Sequence, residues 1–168
     1  LSVTCANGCT GYSNTVSVLV HQSPSVAVTT TGSLQLCTNY SAGPTLVASV
    51  GNCSGTPQYQ WFLNGSPIAG ATTSTYTVPQ GLSVGAYDYA VSVQCGSCSA
   101  TSGAVTLTIH QSPSATITAS GQTTLCTGYS SGPVLNATVS NCSGTPSYQW
   151  YVNSTPIVGA TASSYTIP

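Results

Sequence analysis

Lysine and arginine are absent from all 168 residues, and Asp88 is the single acidic side chain. Soluble domains usually carry about a quarter charged residues, so the surface of this protein has to be made of something else. Phosphate backbones are held by neutralising them with Lys or Arg, and anionic lipid headgroups by the same residues. Nucleic acid and charged membrane surfaces are therefore excluded as partners. No apolar run approaches the roughly 18 residues that a spanning helix needs, which predicts no membrane insertion. Neither a signal peptide nor an initiator Met is present, and the chain starts part-way through a pattern, so it reads as a mature segment of something longer.

The same scarcity bounds the chemistry. Acid–base or nucleophilic catalysis needs titratable groups that converge, and the inventory is Asp88, His21 and His110. Asp88 is expected to point outward between two inward tyrosines, and both histidines fall at equivalent linker positions, where hydrogen bonding to backbone is their expected task. No enzyme is predicted. Calcium wants several carboxylates and finds one, so neither a metal nor a cofactor is expected beyond covalent glycans. Helix formers are equally scarce, with no Met, Glu, Lys or Arg at all, whereas Thr and Val abound and favour strands. Disorder is the competing reading of so polar and glycine-rich a chain, but disordered segments are typically highly charged and poor in aromatics, and here Val, Leu, Tyr and Trp alternate strictly.

What is present is a repeat. Cys53 to Pro79, CSGTPQYQWFLNGSPIAGATTSTYTVP, returns at Cys142 to Pro168 as CSGTPSYQWYVNSTPIVGATASSYTIP, 89 residues on. From His21 to Pro79 the alignment with His110 to Pro168 needs no gap, and 36 of 59 positions are identical. Leu1 to Gln22 likewise matches Val91 to Gln111, with one extra residue in the turn Cys5 to Cys9 against Cys95 to Cys98. A period of this size suits one β-sandwich rather than a solenoid turn. Pro24 and Pro113 stiffen the junctions. The domains expected are the end of a first repeat (1–22, its last strands F and G), a complete repeat (23–111), and a repeat lacking strands F and G (112–168).

Within the complete repeat, strands are expected near Ser25 to Thr30 (A), Pro44 to Val50 (B), Gln58 to Leu63 (C), Ser74 to Val78 (E), Ala86 to Gln94 (F) and Gly103 to Ile109 (G). Leu46, Ala48 and Val50 alternate with Thr45, Val47 and Ser49, the period of a half-buried antiparallel strand. Asn64-Gly65 marks a tight turn, and Val16 to Val20 is expected as an apolar strand equivalent to G. The expected core is Trp61, Trp150, Tyr76, Tyr165, Tyr87 and Tyr89.

Eight cysteines, an even number per repeat, argue for disulfides and an oxidising compartment: Cys5, Cys9, Cys37, Cys53, Cys95, Cys98, Cys126 and Cys142. Cys53 in the B–C loop lies at the same end of a sandwich as Cys95 and Cys98, so a bond from Cys53 to that turn is natural; Cys37, before strand B, is harder to place. Two isolated cysteines plus one Cys-x-x-Cys do not make the paired knuckles of a zinc site. A thioredoxin-like thiol pair needs a helix N-terminus, which a strand turn does not offer. Six of eight asparagines stand in Asn-x-Ser/Thr, namely Asn39, Asn52, Asn64, Asn136, Asn141 and Asn153, and are candidate N-glycosylation sites. Asn136 replaces Val47 on the outward face of strand B, where an acceptor must sit.

Trp61 on strand C, Gly85-Ala86-Tyr87 opening strand F, and the phrase YQWFLNGSPIAGATTSTYTV resemble the immunoglobulin-like repeats strung along large secreted proteins of bacteria and archaea. The resemblance covers essentially the whole chain. It implies an all-β fold of tandem immunoglobulin-like sandwiches with disulfides, Tyr87 as the tyrosine-corner residue, and a bond from Cys37 to Cys98, which leaves Cys53 to Cys95. The usual cystine between strands B and F is replaced by Ala48 facing Tyr89. By resemblance such repeats form shafts of extracellular filaments, sheaths and cell-surface fibres. A structural glycoprotein that self-associates with its own copies or neighbouring repeats is therefore expected, since near-zero net charge also promotes association. The alternative is an adhesin or carbohydrate-binding module taking a glycan ligand on Tyr12, Tyr40 or Tyr129 as stacking platforms. If its ends are native, Leu1 to Val20 of one subunit is expected to complete the open repeat of another, which lacks the equivalent of Gln80 to Ala90.

Overall fold

The computed structural model describes residues 1–168 and is all-β, 45% strand with no helix. Sixteen strands follow in order: β1 (Ser2–Thr4), β2 (Thr10–Tyr12), β3 (Ser25–Thr31), β4 (Gln35–Cys37), β5 (Thr45–Gly51), β6 (Gln58–Leu63), β7 (Ser66–Pro67), β8 (Thr75–Thr77), β9 (Gly85–Cys95), β10 (Cys98–Thr101), β11 (Val105–His110), β12 (Ser114–Ser120), β13 (Val134–Ser140), β14 (Tyr151–Val152), β15 (Thr155–Pro156) and β16 (Ser164–Thr166). They gather into two compact units built of interleaved segments. One comprises Leu1–Thr31, Thr45–Thr77 and Asp88–Val105, the other Gly32–Pro44, Val78–Tyr87 and Thr106–Pro168.

In the first unit β3, β5 and β8 make an antiparallel sheet, with Val28 opposite Ala48 and Leu46 opposite Tyr76. Across from it, β6 pairs along its whole length with β9, Trp61 against Val91 and Leu63 against Tyr89, and turns back through Asn64-Gly65 into β7. Both turn residues have positive φ, 48° and 78°, a conformation that Asn and Gly adopt with least strain. The sheets meet through aromatic rings: Trp61 and Tyr76 centroids lie 6.0 Å apart, Tyr76 and Tyr89 5.8 Å. Period-two burial along β9 puts Tyr89, Val91, Val93 and Cys95 inside and leaves Asp88 and Gln94 exposed. Each fully buried aliphatic side chain contributes about 1.5–3 kcal/mol. A sandwich thus forms where strands A, B, C, E and F are expected, although Tyr87 is only half-buried.

Two additions to the expected strands are hairpin returns. β10 folds back on β9 with Cys98 opposite Cys95, and β1–β2 is its counterpart near the start of the chain, with Thr4 opposite Thr10 as Gln94 is opposite Ser99.

In the second unit β11 runs parallel to β4, Ile109 opposite Leu36, and Leu107 and Ile109 are fully buried. β4 was not expected, since three residues carry too little period to read. β12, β13 and β16 form a three-stranded sheet whose register copies that of β3, β5 and β8 at an offset of 89 residues: Ile117 opposite Ala137, Leu135 opposite Tyr165.

Two expectations fail for one reason. Val16 to Val20 forms no strand and is exposed, Val18 at 82% and Val20 at 86%. Ser147 to Val152, the counterpart of β6, is a strand only over Tyr151–Val152, where β15 pairs with it. An extended segment becomes a strand only when a neighbour takes its backbone hydrogen bonds, and neither stretch has that neighbour.

Candidate functional site

The best-defined local structure is the tryptophan module. Trp61 is 0% exposed, and its Nε1 donates to the carbonyl of Thr73 at 2.9 Å. Gln60 lies beneath it, its Nε2 donating to the carbonyls of Trp61 and Ile68 at 2.9 and 2.8 Å. The second copy repeats the bonds: Trp150 Nε1 to Ala162 at 2.9 Å, and Gln149 Nε2 to Trp150 and Ile157 at 3.0 and 2.8 Å. A buried indole N–H needs an acceptor, and the loop supplies it through backbone, so Thr73 can become Ala162 without loss. Trp150 stacks on Tyr165 at 5.8 Å. Burial pushes the Tyr76 phenol above its ordinary value, because the charged form would be poorly solvated there.

Sequence reasoning missed a second repeated device. Tyr40 donates its hydroxyl to the carbonyl of Pro79, and Tyr129 donates to Pro168 at 2.7 Å, both across 39 residues. Beside them Gly43 and Gly132 pass so close to Val78 and Ile167 that a Cβ on Gly132 would lie 2.7 Å from that of Ile167. The signal was available in the shared Tyr-Ser-x-Gly-Pro phrase, but nothing in it named the distant acceptor. These hydroxyls are engaged inside the repeat, which weakens Tyr40 and Tyr129 as sugar platforms; Tyr12 is 82% exposed.

Cys53 and Cys95 are joined, with S–S 2.02 Å and Cα–Cα 5.2 Å. The other pairing, Cys37 with Cys98, is not formed. Cys98 is placed by the β10 turn opposite Cys95, and Cys37 by the end of β4 opposite His110. Both are free thiols, as are Cys5, Cys9, Cys126 and Cys142. Cys142 is the counterpart of Cys53, and Cys5 of Cys95.

The titratable residues do not converge. Asp88 is exposed on β9, its amide donating to Asn64 Oδ1 at 2.9 Å. His110 Nε2 meets Gln35 Oε1 at 2.7 Å, a side-chain contact rather than the backbone bond expected. His21 is exposed. No three His, Cys, Asp or Glu side chains group as metal ligands, and no helix is long and apolar enough to cross a membrane. All six acceptor asparagines are exposed, and Asn52, Asn64, Asn141 and Asn153 sit at positive φ in turns.

In the second unit an open groove of ≈ 510 Å³ runs past Ile117, Ala137, Val139, Cys142, Tyr148 and Trp150. Its walls are mostly apolar. The fold and these features define a disulfide-bonded all-β sandwich protein with a duplicated aromatic module. The chain matches no protein-family model and no curated protein.

Proposed function

We propose that the chain is a length of the shaft of an extracellular filament, sheath or surface fibre, made of tandem immunoglobulin-like repeats with boundaries near residues 22 and 111. The observation that carries this is the recurrence of one hydrogen-bonded module at a fixed 89-residue spacing, with donors, acceptors and distances alike to about 0.1 Å. Identical modules at constant spacing build length; they add no new chemistry with each copy. The bond from the Tyr87 hydroxyl to the Ser83 carbonyl, 3.0 Å, supports the immunoglobulin-like reading because a tyrosine corner makes that link. A disulfide is at home in an oxidising, extracellular setting, and exposed Asn-x-Ser/Thr turns supply places for N-glycans to solubilise an uncharged surface.

Electron microscopy of the native material tests this. Uniform fibres with an axial repeat of one or two sandwich lengths are expected. Dispersed particles without a repeat, together with glycan-array binding that disappears on Tyr12→Ala, would replace the shaft with an adhesin.

A further inference from the structure

Three sulfurs of the first unit stand together, and only two of them are joined. The Cys53–Cys95 bond ties the loop between β5 and β6 to the end of β9. The chain then turns through Gly96, at φ 60°, and Ser97, and sets Cys98 directly opposite Cys95. Opposite residues of an antiparallel pair project to the same face with Cα atoms about 4.5–5.5 Å apart, a span that a disulfide can bridge. Burial shows which face this is. Cys98 and Ala100 are half-buried while Ser99 and Thr101 are exposed, and the residues opposite the first two, Cys95 and Val93, are buried. The Cys98 thiol therefore lies on the inner side of the hairpin beside the sulfur of Cys95, and it is free; the other five free thiols are all exposed. The loop that carries Cys53 packs on the same turn, where a Cβ on Gly96 would lie 3.4 Å from the Ser54 carbonyl oxygen.

We propose that Cys53, Cys95 and Cys98 form a thiol–disulfide exchange site, in which the Cys98 thiolate attacks Cys95 Sγ and replaces the Cys53–Cys95 bond by a Cys95–Cys98 bond. The electron pair of the Cys98 sulfur makes the new bond. The old bond breaks with its pair leaving on Cys53, which takes up the proton that Cys98 gave. One disulfide and one thiol enter, one disulfide and one thiol leave, and neither oxidant nor reductant is consumed. The two states differ in what they hold. Cys53–Cys95 closes a loop across 42 residues and fastens that loop to β9, whereas Cys95–Cys98 closes only the turn that the β9–β10 ladder already closes. In the folded protein, packing of the Cys53 loop on the turn holds the first state. In an opened chain the short closure costs less entropy and wins. Exchange therefore advances as this end of the sandwich opens, unfastens the loop between β5 and β6, and leaves the half-buried Cys53 as the thiol that a disulfide on another molecule would meet.

The inference does not rest on the shaft reading. The test uses the full chain with the five exposed free cysteines, Cys5, Cys9, Cys37, Cys126 and Cys142, changed to Ser, so that only the three sulfurs remain. It is held in mildly alkaline buffer without reductant, over the span of about minutes to hours that uncatalysed disulfide rearrangement takes. Samples are trapped with N-ethylmaleimide at weakly acidic pH and digested with pepsin. Maleimide is expected on Cys98 at the start and on Cys53 later, in step with a peptide closed between Cys95 and Cys98. The rate should not change on dilution and should rise in urea below the unfolding midpoint. Cys98→Ser should abolish labelling of Cys53; its melting temperature checks its fold, and the Cys95–Cys98 peptide of the parent chain is read without it. Maleimide that stays on Cys98 with and without urea, a product joining Cys53 to Cys98, or label reaching Cys53 equally fast in Cys98→Ser each overturns the proposal. Regular fibres in the native material would stand in any of those cases.

Discussion

The indole nitrogen of Trp61 donates a 2.9 Å hydrogen bond to the backbone carbonyl of Thr73, closing the loop that joins strand β7 to β8 over the aromatic core. Because the ring is wholly buried, replacing it removes both packing and a satisfied polar pair. Trp61→Ala should cost about 3–5 kcal/mol, measured as a shift in the urea midpoint. Trp61→Phe keeps much of the apolar area and leaves the carbonyl of Thr73 without its donor, for a loss of about 1–3 kcal/mol. Trp150, 7% exposed, should show the same ranking with smaller losses.

The Cys53–Cys95 bond closes a loop across 42 residues and acts largely by restricting the unfolded chain. Reduction, or the double change Cys53→Ala with Cys95→Ala, should lower stability by about 2–4 kcal/mol. Calorimetry of the reduced protein and of the double variant should give the same melting temperature. A double variant as stable as the oxidised protein would show that the bond is a bystander.

Gly43 and Gly132 should tolerate no side chain. At Gly43 a methyl group collides with the Val78 carbonyl, and the bond from Val78 N to the Pro44 carbonyl at 3.0 Å anchors that crossing. Gly43→Ala should cost about 1–3 kcal/mol by overpacking, read from chemical unfolding. Gly132→Ala should behave alike against Ile167, whereas Gly55→Ala, with open space around it but φ at 110°, should lose only backbone strain.

Stability should decline at the alkaline end, and Tyr76 should contribute to that decline. Its phenol is raised above 10.0 by burial, so the unfolded chain releases that proton first. The stabilisation is complete below pH 10 and is lost as pH climbs from there through the higher folded value. Thermal midpoints recorded from neutral pH upward should fall in that window, and Tyr76→Phe should flatten part of the fall while leaving the neutral midpoint nearly unchanged. An equal alkaline drop in Tyr76→Phe would assign the effect elsewhere.

Strands with a clear period of two were legible from residues alone: Gln58 to Leu63 forms as expected, and Ala86 to Gln94 extends by one residue at each end. A bond from Cys53 to the β9–β10 turn was legible too, because both share an end of the sandwich, but the residues left Cys95 and Cys98 open, and the resemblance that chose Cys95 did so through a Cys37–Cys98 bond that is not formed. Gln35–Cys37 was not legible, since its pairing with β11 is a tertiary fact and three residues show no pattern. Val16 to Val20 erred the other way, with the composition of a strand and no neighbour to make it one. The hydroxyl bonds of Tyr40 and Tyr129 were hidden for a related reason, as an acceptor 39 residues distant leaves no local trace.

Many β-proteins post a lysine on an open border so that another backbone is repelled before it can align. This chain has no such sentinel anywhere, and the outer rim of Ser147 to Trp150 is bare. Added salt has almost no ion pairs to screen, so crowding of molecules, rather than ionic strength, should govern whether copies stay apart.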